Sequence, residues 1–321
     1  LLNLYGHPDA GGYWETHSFK IITDAGFTQV EGWPSCFWHA KRKLMLIAYV
    51  DDFKLAGPKE NLKAGWESIK KIDMDAPISL GRFLGCNHVV TQHEDRREIS
   101  YEMNDFMQQC VDRYVEVSPT TPKFVDAKTP FLDEDNLSED DDLEVGILSA
   151  KASSVLMKIL YGARMARQDL LRGVCALASE VSRWTKNCDK RLFRLVCYIK
   201  STKHYVMKGY IHKDDKKEDL YFELFADADF AGCKRTARST SGAFGCLRGP
   251  KYFVPLAGKS GKQDCVSCST PEAELVSAST ALRQVGLPFM DLLDTILERK
   301  VKMVFQEDNQ AAIITMKKGY S

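Results

Sequence analysis

Two hydrophobic periods organise the chain. "LMLIAYV" (44–50) and "FKLAG" (53–57) are short apolar runs on either side of Asp51 and Asp52, and they read as two strands of a tight hairpin. "PKENLKAGWESIKKI" (58–72) then switches to helical spacing, with Pro58 at its start and Leu62, Trp66 and Ile69 on one face. "RFLGCNHVVTQ" and "REISYEM" predict two more strands around the charged turn "HEDR". The period is lost in "SPTTPKFVDAKTP" and the acidic run after it, so 118–146 reads as a linker or long loop. It returns as a helical pattern over 147–213, in "LLRGVCALASEVSRW" and "KRLFRLVCYIKST". Past Leu220, "LYFELFADADFAG", "GAFGCLRG" and "YFVPLAG" predict strands. "STPEAELVSASTALRQVG" predicts a helix, with Pro271 at N1, a Ser269–Glu272 capping box and a face of Leu275, Ala278, Leu282 and Val285. "VKMVFQEDNQAAI" predicts a strand running into another helix. The expected class is a multidomain α+β or α/β protein, with segments 1–117, 118–146, 147–219 and 220–321.

Composition leaves that picture in place. The chain has 321 residues, 44% hydrophobic and 27% charged, as in soluble globular proteins of two or three domains. No apolar run near the hairpin is long enough to cross a bilayer, so no membrane partner is expected. "LLNLYGHPDAGGYW" has neither the basic start nor the apolar core of a signal peptide. Ten cysteines are scattered, and the one close pair, "CVSC" at 265–268, has no second pair at zinc-site spacing, which favours free thiols.

Charge adds more. The net charge is zero, but "DEDNLSEDDDLE" (133–144) holds eight acids and no base. The stretch from Arg183 to Lys217 holds eleven bases and three acids. A local basic field of this kind suits a polyanion, and Arg191, Arg194, Lys200 and Lys203 are the expected phosphate contacts; a solvated helix face explains the same charges.

Two sets of carboxylates are candidate chemistry. Asp51 and Asp52 repel each other at a hairpin tip whose usual residues are Asn-Gly or Asp-Gly. A hard cation such as Mg²⁺ removes that repulsion; an exposed acidic turn is the plain alternative. Asp227 and Asp229 end one strand, Glu274 lies in the first turns of the capped helix, and Asp308 ends another strand. Brought to one sheet edge, such acids can bind two divalent cations and act on a phosphodiester.

These motifs, in this order, resemble the Pol polyprotein of copia-type long-terminal-repeat retrotransposons. "YVDDF" followed by "LAG" resembles the polymerase signature, and "LYGHPDAGGYWE" and "ISLGRFLGCNH" resemble segments before and after it. "ILYGARMARQDLLRGVCALASEVSRW" resembles the connection; "FADADFAGCKRTARSTSGAFGCL", "SCSTPEAELVSAS" and "EDNQAAI" resemble the ribonuclease H domain. The resemblance covers nearly the whole chain. It implies a partial reverse-transcriptase palm and thumb in 1–117, a helical connection in 147–219 and a ribonuclease H-like mixed sheet in 220–321. It implies RNA-directed DNA polymerase and ribonuclease H chemistry, with Mg²⁺ (or Mn²⁺) on Asp51 and Asp52 and on Asp227, Glu274 and Asp308, and less weight on Asp229. The implied partners are an RNA template, a DNA primer, an RNA–DNA hybrid and the other Pol segments, in a cytoplasmic virus-like particle. The family's third palm aspartate is expected before the first residue here, and its fourth ribonuclease H carboxylate after the last. A truncated relic that binds nucleic acid and catalyses nothing is therefore the competing expectation.

Overall fold

The computed structural model describes residues 7–132, 137–233 and 235–319. It is a mixed α+β protein of two compact units. One comprises 1–84 with 287–302, the other 85–286 with 303–321. These boundaries differ from the segments read off the sequence, because strand pairing in the second unit, and packing of the helical stretch 287–297 on strands of the first, join stretches that hydrophobic periodicity separates.

The first unit opens with α1 (Ala10–Asp24), followed by β1 (Thr28–Val30), β2 (Trp33–His39), β3 (Leu44–Tyr49) and β4 (Asp52–Ala56). The four strands form an antiparallel sheet in chain order. Helix α2 (Lys59–Ser68) follows, with Pro58 one step outside it as N-cap rather than inside its first turn. The strand β5 (Arg82–Phe83) closes this stretch. Ile22, Phe27, Phe37, Leu44, Leu46, Ile69 and Ile72 are the buried core, with Trp14, Leu62 and Trp66 packed against it. Gly57, the glycine of "FKLAG", has φ +156°, and a Cβ there would lie 2.5 Å from the Lys43 carbonyl oxygen. No other residue type fits that approach.

The second unit begins with β6 (Cys86–Gln92) and β7 (Arg96–Glu102), the hairpin expected around "HEDR". Helix α3 (Asn104–Val117) follows, then α4 (Ala152–Met165), α5 (Leu171–Ala178) and α6 (Lys186–Thr202). These four helices share a core that includes Met107, Leu156, Ile159, Val174, Leu177, Leu192 and Val196. The helical pattern expected over 147–213 stops early: Met207–His212 is strand β8, hydrogen-bonded to β7 on one side and β11 (Phe253–Lys262) on the other. With β9 (Tyr221–Asp229), β10 (Thr240–Arg248) and β12 (Met303–Gln306), the order within this unit is β12-β9-β10-β11-β8-β7-β6. Strands β12 and β9 pair in parallel and the other pairs of this unit's strands are antiparallel among the described residues, so the sheet is mixed.

Helix α7 (Thr270–Ala281) starts at an N-cap Ser269 whose hydroxyl accepts from the Glu272 amide. Two details differ from the sequence reading. Pro271 is the second helical residue, and the Glu272 carboxylate reaches the amide of Cys268, one residue before the cap. The buried face is also turned: Ala273, Glu274, Ser277, Ala278 and Ala281 are covered, whereas Leu275 and Leu282 are half-buried. Small residues bring the helix close to the sheet, and on β10 a Cβ at Gly245 would lie 2.7 Å from the Phe222 ring and 3.1 Å from Val285. The chain then forms α8 (Leu287–Leu297) of the first unit, where Trp33 donates its indole N–H to the Pro288 carbonyl and packs edge-on to Phe289 at 5.0 Å. It ends in β12 and α9 (Gln310–Lys318), whose cap Asn309 accepts from the Ala312 amide.

Of the expected loop 118–146, the described residues from 118 to 139 hold no helix or strand, Asp140–Asp142 form a 3-10 turn and Val145 bridges Thr185; Asp133, Glu134, Asp135 and Asn136 of the acidic run lie outside the described residues. All ten cysteines are free thiols. Among the described residues no helix is long and apolar enough to cross a membrane.

Candidate metal centre

Period-2 alternation on β9 sets up the site. Phe222, Leu224, Ala226 and Ala228 are buried, whereas Phe225, Asp227 and Asp229 are exposed and share the opposite face. The parallel register pairs Phe225 with Gln306, the last residue of β12, and Asp308 lies two residues past that end as Asp227 lies two past Phe225. Helix α7 supplies the third acid. The Ser277 hydroxyl, fully buried, donates 2.7 Å to the Asp227 carbonyl and lies 3.3 Å from the Gly242 carbonyl, tying the helix to β9 and β10. Glu274 sits one turn earlier on the same face. Asp227, Glu274 and Asp308 each bring a carboxylate oxygen within 4.8 Å of the others.

The electrostatics of this cluster favour a positive charge beside it. Glu274 is 4% exposed, and its Oε2 is buried with no hydrogen-bond partner. Burial, then the charges of Glu307, Asp227 and Asp308, push its carboxyl up to about 7. Glu307 is also raised, mainly by burial, and its Oε2 is likewise buried and unpartnered. An all-oxygen donor set with an orphaned buried carboxylate oxygen fits a hard cation and can hold a metal ion.

Raised carboxyls have a measurable consequence. Glu274 binds its proton more tightly folded than unfolded, so its contribution to stability is full below about pH 4 and is lost as pH rises through about 7. Glu274 alone is expected to remove about 3 kcal/mol of unfolding free energy from the metal-free protein over that window, while His39, whose imidazole burial holds below its usual range, works in the opposite direction, so the difference from a Glu274→Gln variant is the readout. Urea titrations of both proteins in chelator at pH 4.5 and 8 measure it. Saturating divalent cation is expected to restore the stability at pH 8 by mass action.

Asp229 does not join the cluster. Its Oδ2 accepts from the Arg172 guanidinium at 2.7 Å. A Cβ at residue 232 would lie 2.1 Å from that same oxygen, so the glycine of "DFAG" keeps the pair in place. An open groove of about 740 Å³ runs past the acids, lined by Asp227, Asp308, Arg172, Lys259, Phe225 and Phe244. Sequence reasoning missed Glu307, Arg172 and Ser277. Glu307 carried one signal, its place directly before Asp308; Arg172 and Ser277 had none, since only folding brings them to β9.

The other expected site residues lie elsewhere. Val50 and Asp51 form the hairpin turn, and Asp52 is already in β4, paired with Tyr49; the turn sits one residue earlier than expected. Val50 has φ +54°, a strained conformation for a β-branched residue, and its carbonyl accepts from the Trp14 indole at 2.7 Å. Asp51 and Asp52 are exposed, and among the described residues no third acid joins them in metal-holding geometry. Arg191, Arg194, Lys200 and Lys203 lie along α6 or just past its end, and all four have partners within the chain. Arg191 stacks at 5.5 Å on Phe131, and Lys200 lies 4.2 Å from the Phe124 ring centroid. Arg194 donates twice to Thr129, and Lys203 donates to Gln108.

No protein-family model matches the chain, and no curated protein matches it.

Proposed function

We propose that the unit formed by 85–286 and 303–321 hydrolyses the RNA strand of an RNA–DNA hybrid, and that the chain is a segment of a copia-type retrotransposon Pol polyprotein. The observation that carries this reading is the convergence of Asp227, Glu274 and Asp308, from a strand, a helix and a second strand end, around an orphaned buried carboxylate oxygen. The motif order along the chain agrees with it. The groove adds substrate chemistry: Arg172 and Lys259 suit phosphates, and the exposed Phe225 beside Phe244, with ring centroids 6.1 Å apart, suits stacking on bases or sugars.

Mg²⁺, or Mn²⁺, held by the three acids would supply Lewis-acid activation of a phosphodiester. The chain's own residues supply position. Glu274 is fixed from below by burial in α7, Asp227 and Asp308 present oxygens from the strand ends, and Ser277 holds helix and strand in register. Arg172 neutralises Asp229 and so limits the negative charge that a phosphate meets on entering the groove.

The test is cleavage of a hybrid labelled on the RNA strand, with and without divalent cation. Cation-dependent cleavage of RNA and not of DNA is expected. Binding without any cleavage would replace this reading with that of a catalytically silent nucleic-acid binder. Templated DNA synthesis is not expected from this chain, because Asp51 and Asp52 lack a third acid among the described residues. Nucleotide incorporation on a primed RNA template, lost in Asp51→Asn, would show otherwise.

A further inference from the structure

The basic face of α6 is occupied by the chain's own acidic segment. Lys186, Lys190 and Arg194 are spaced four residues apart, so they form one stripe along the helix. Each meets the loop between α3 and α4. The Asp141 carboxylate bridges Lys186, at 2.9 Å, and Lys190. Glu144 reaches Lys186 at 3.3 Å. Thr129 takes both hydrogen bonds of Arg194 through its carbonyl and its hydroxyl. Phe131 lies under Arg191 and, at 4.5 Å, under Arg172, the arginine that pairs with Asp229 at the groove.

The docking is more than loose charge attraction. Asp141 is 9% exposed, although acids this covered are rare unless paired. The Asn187 amide donates to the Ser138 carbonyl, the Lys186 amide to the Glu144 carbonyl, and Val145 forms an isolated antiparallel bridge with Thr185. The acids also gather at the N-terminal end of α6, where exposed amides favour negative charge. The acidic segment therefore covers Lys186 and Lys190, and Thr129 covers Arg194.

We propose that the Lys186–Lys190–Arg194 stripe is a docking surface for a nucleic-acid backbone, and that segment 138–144 is its intramolecular occupant, displaced when an RNA–DNA hybrid binds. The inference rests on the hybrid being the partner. It goes beyond that reading in making binding a competition between two polyanions, one of them covalently attached. Competition of this kind selects for long or multiply charged ligands, since a single phosphate does not outcompete a tethered acidic segment at high effective concentration.

The experiment uses the full chain and a fluorescent RNA–DNA hybrid at low salt. Asp141→Asn with Glu144→Gln is expected to tighten binding about tenfold, because two acids no longer hold the lysines. Neutralisation also lowers general repulsion, so amide hydrogen exchange provides the second arm. In the unaltered protein the amides of Gly146 and Lys186, which donate to the Trp184 and Glu144 carbonyls, are expected to lose protection on hybrid addition. Tighter binding together with lost protection supports displacement. Unchanged or weaker binding of the variant overturns it, as does hybrid binding that leaves both amides protected. Cleavage at the Asp227 site, scored on the same preparations, reports separately on the proposed activity.

Discussion

Asp227→Asn is expected to lower RNA-strand cleavage by about a thousandfold or more, a loss of roughly 4 kcal/mol of transition-state stabilisation. Residues that only support a metal ligand already cost 10- to 100-fold when replaced, so loss of a ligand oxygen itself should cost more. The substitution keeps shape and removes one charge. Asp227 is exposed, and its backbone carbonyl, not its side chain, holds Ser277. The variant should therefore fold, and its metal-free form should be slightly more stable, because Glu274 and Glu307 lose a negative neighbour. Calorimetric titration of divalent cation is the companion measurement. Weakened cation binding with an undiminished melting temperature in chelator identifies Asp227 as a ligand. Full cleavage by this variant would remove the centre from consideration.

Arg167→Ala is expected to cost about 3 kcal/mol of stability. The guanidinium is 2% exposed and makes four hydrogen bonds within the chain. It forks onto Asp169 at 2.9 and 2.7 Å and donates to the Thr202 carbonyl and hydroxyl at 2.9 and 2.8 Å. The Tyr198 hydroxyl completes the network on Asp169, and the rings of Tyr198 and Tyr205 flank the guanidinium. Alanine leaves the buried Thr202 at the end of α6 without its donor, whereas the Asp169 carboxylate, 35% exposed, is left to water. Arg167→Lys should recover only part of the loss, since an ammonium has no fork. Urea denaturation of the three proteins at one pH measures the ordering. A cost below about 1 kcal/mol for alanine would mean that solvent satisfies these groups and that the network adds little.

Local chemistry was legible along the chain. Apolar alternation placed β9, the "LMLIAYV" hairpin and the strands around "HEDR"; Ser269 announced α7; acids at strand ends announced Asp227 and Asp308. Each of these depends on neighbours within a few residues, where steric fit, capping and hydrophobic period act directly. Helices α1, α3 and α8 were not foreseen, and the strand β8 was read as helix. "MKGYIH" has no clear period of its own and becomes a strand because β7 and β11 offer it two open edges. The hairpin turn fell one residue early because the β3–β4 register, set by pairing of whole strands, overrides the turn preference of Asp51 and Asp52.

What tertiary structure alone decided is which charges meet. The sequence by itself determined that Asp227, Asp229, Glu274, Glu307 and Asp308 exist near element ends. The parallel pairing of β12 with β9 decided that Asp308 lies near Asp227, and Arg172 from α5 decided that Asp229 is neutralised instead of joining them. The basic run from Arg183 to Lys217 was plain in the sequence, as was the acidic run at 133–144. That Asp141 lies on Lys186 and Lys190 was not, because attraction between unlike charges has no sequence register; it takes the folded helices to fix which pair is close enough to desolvate and bind.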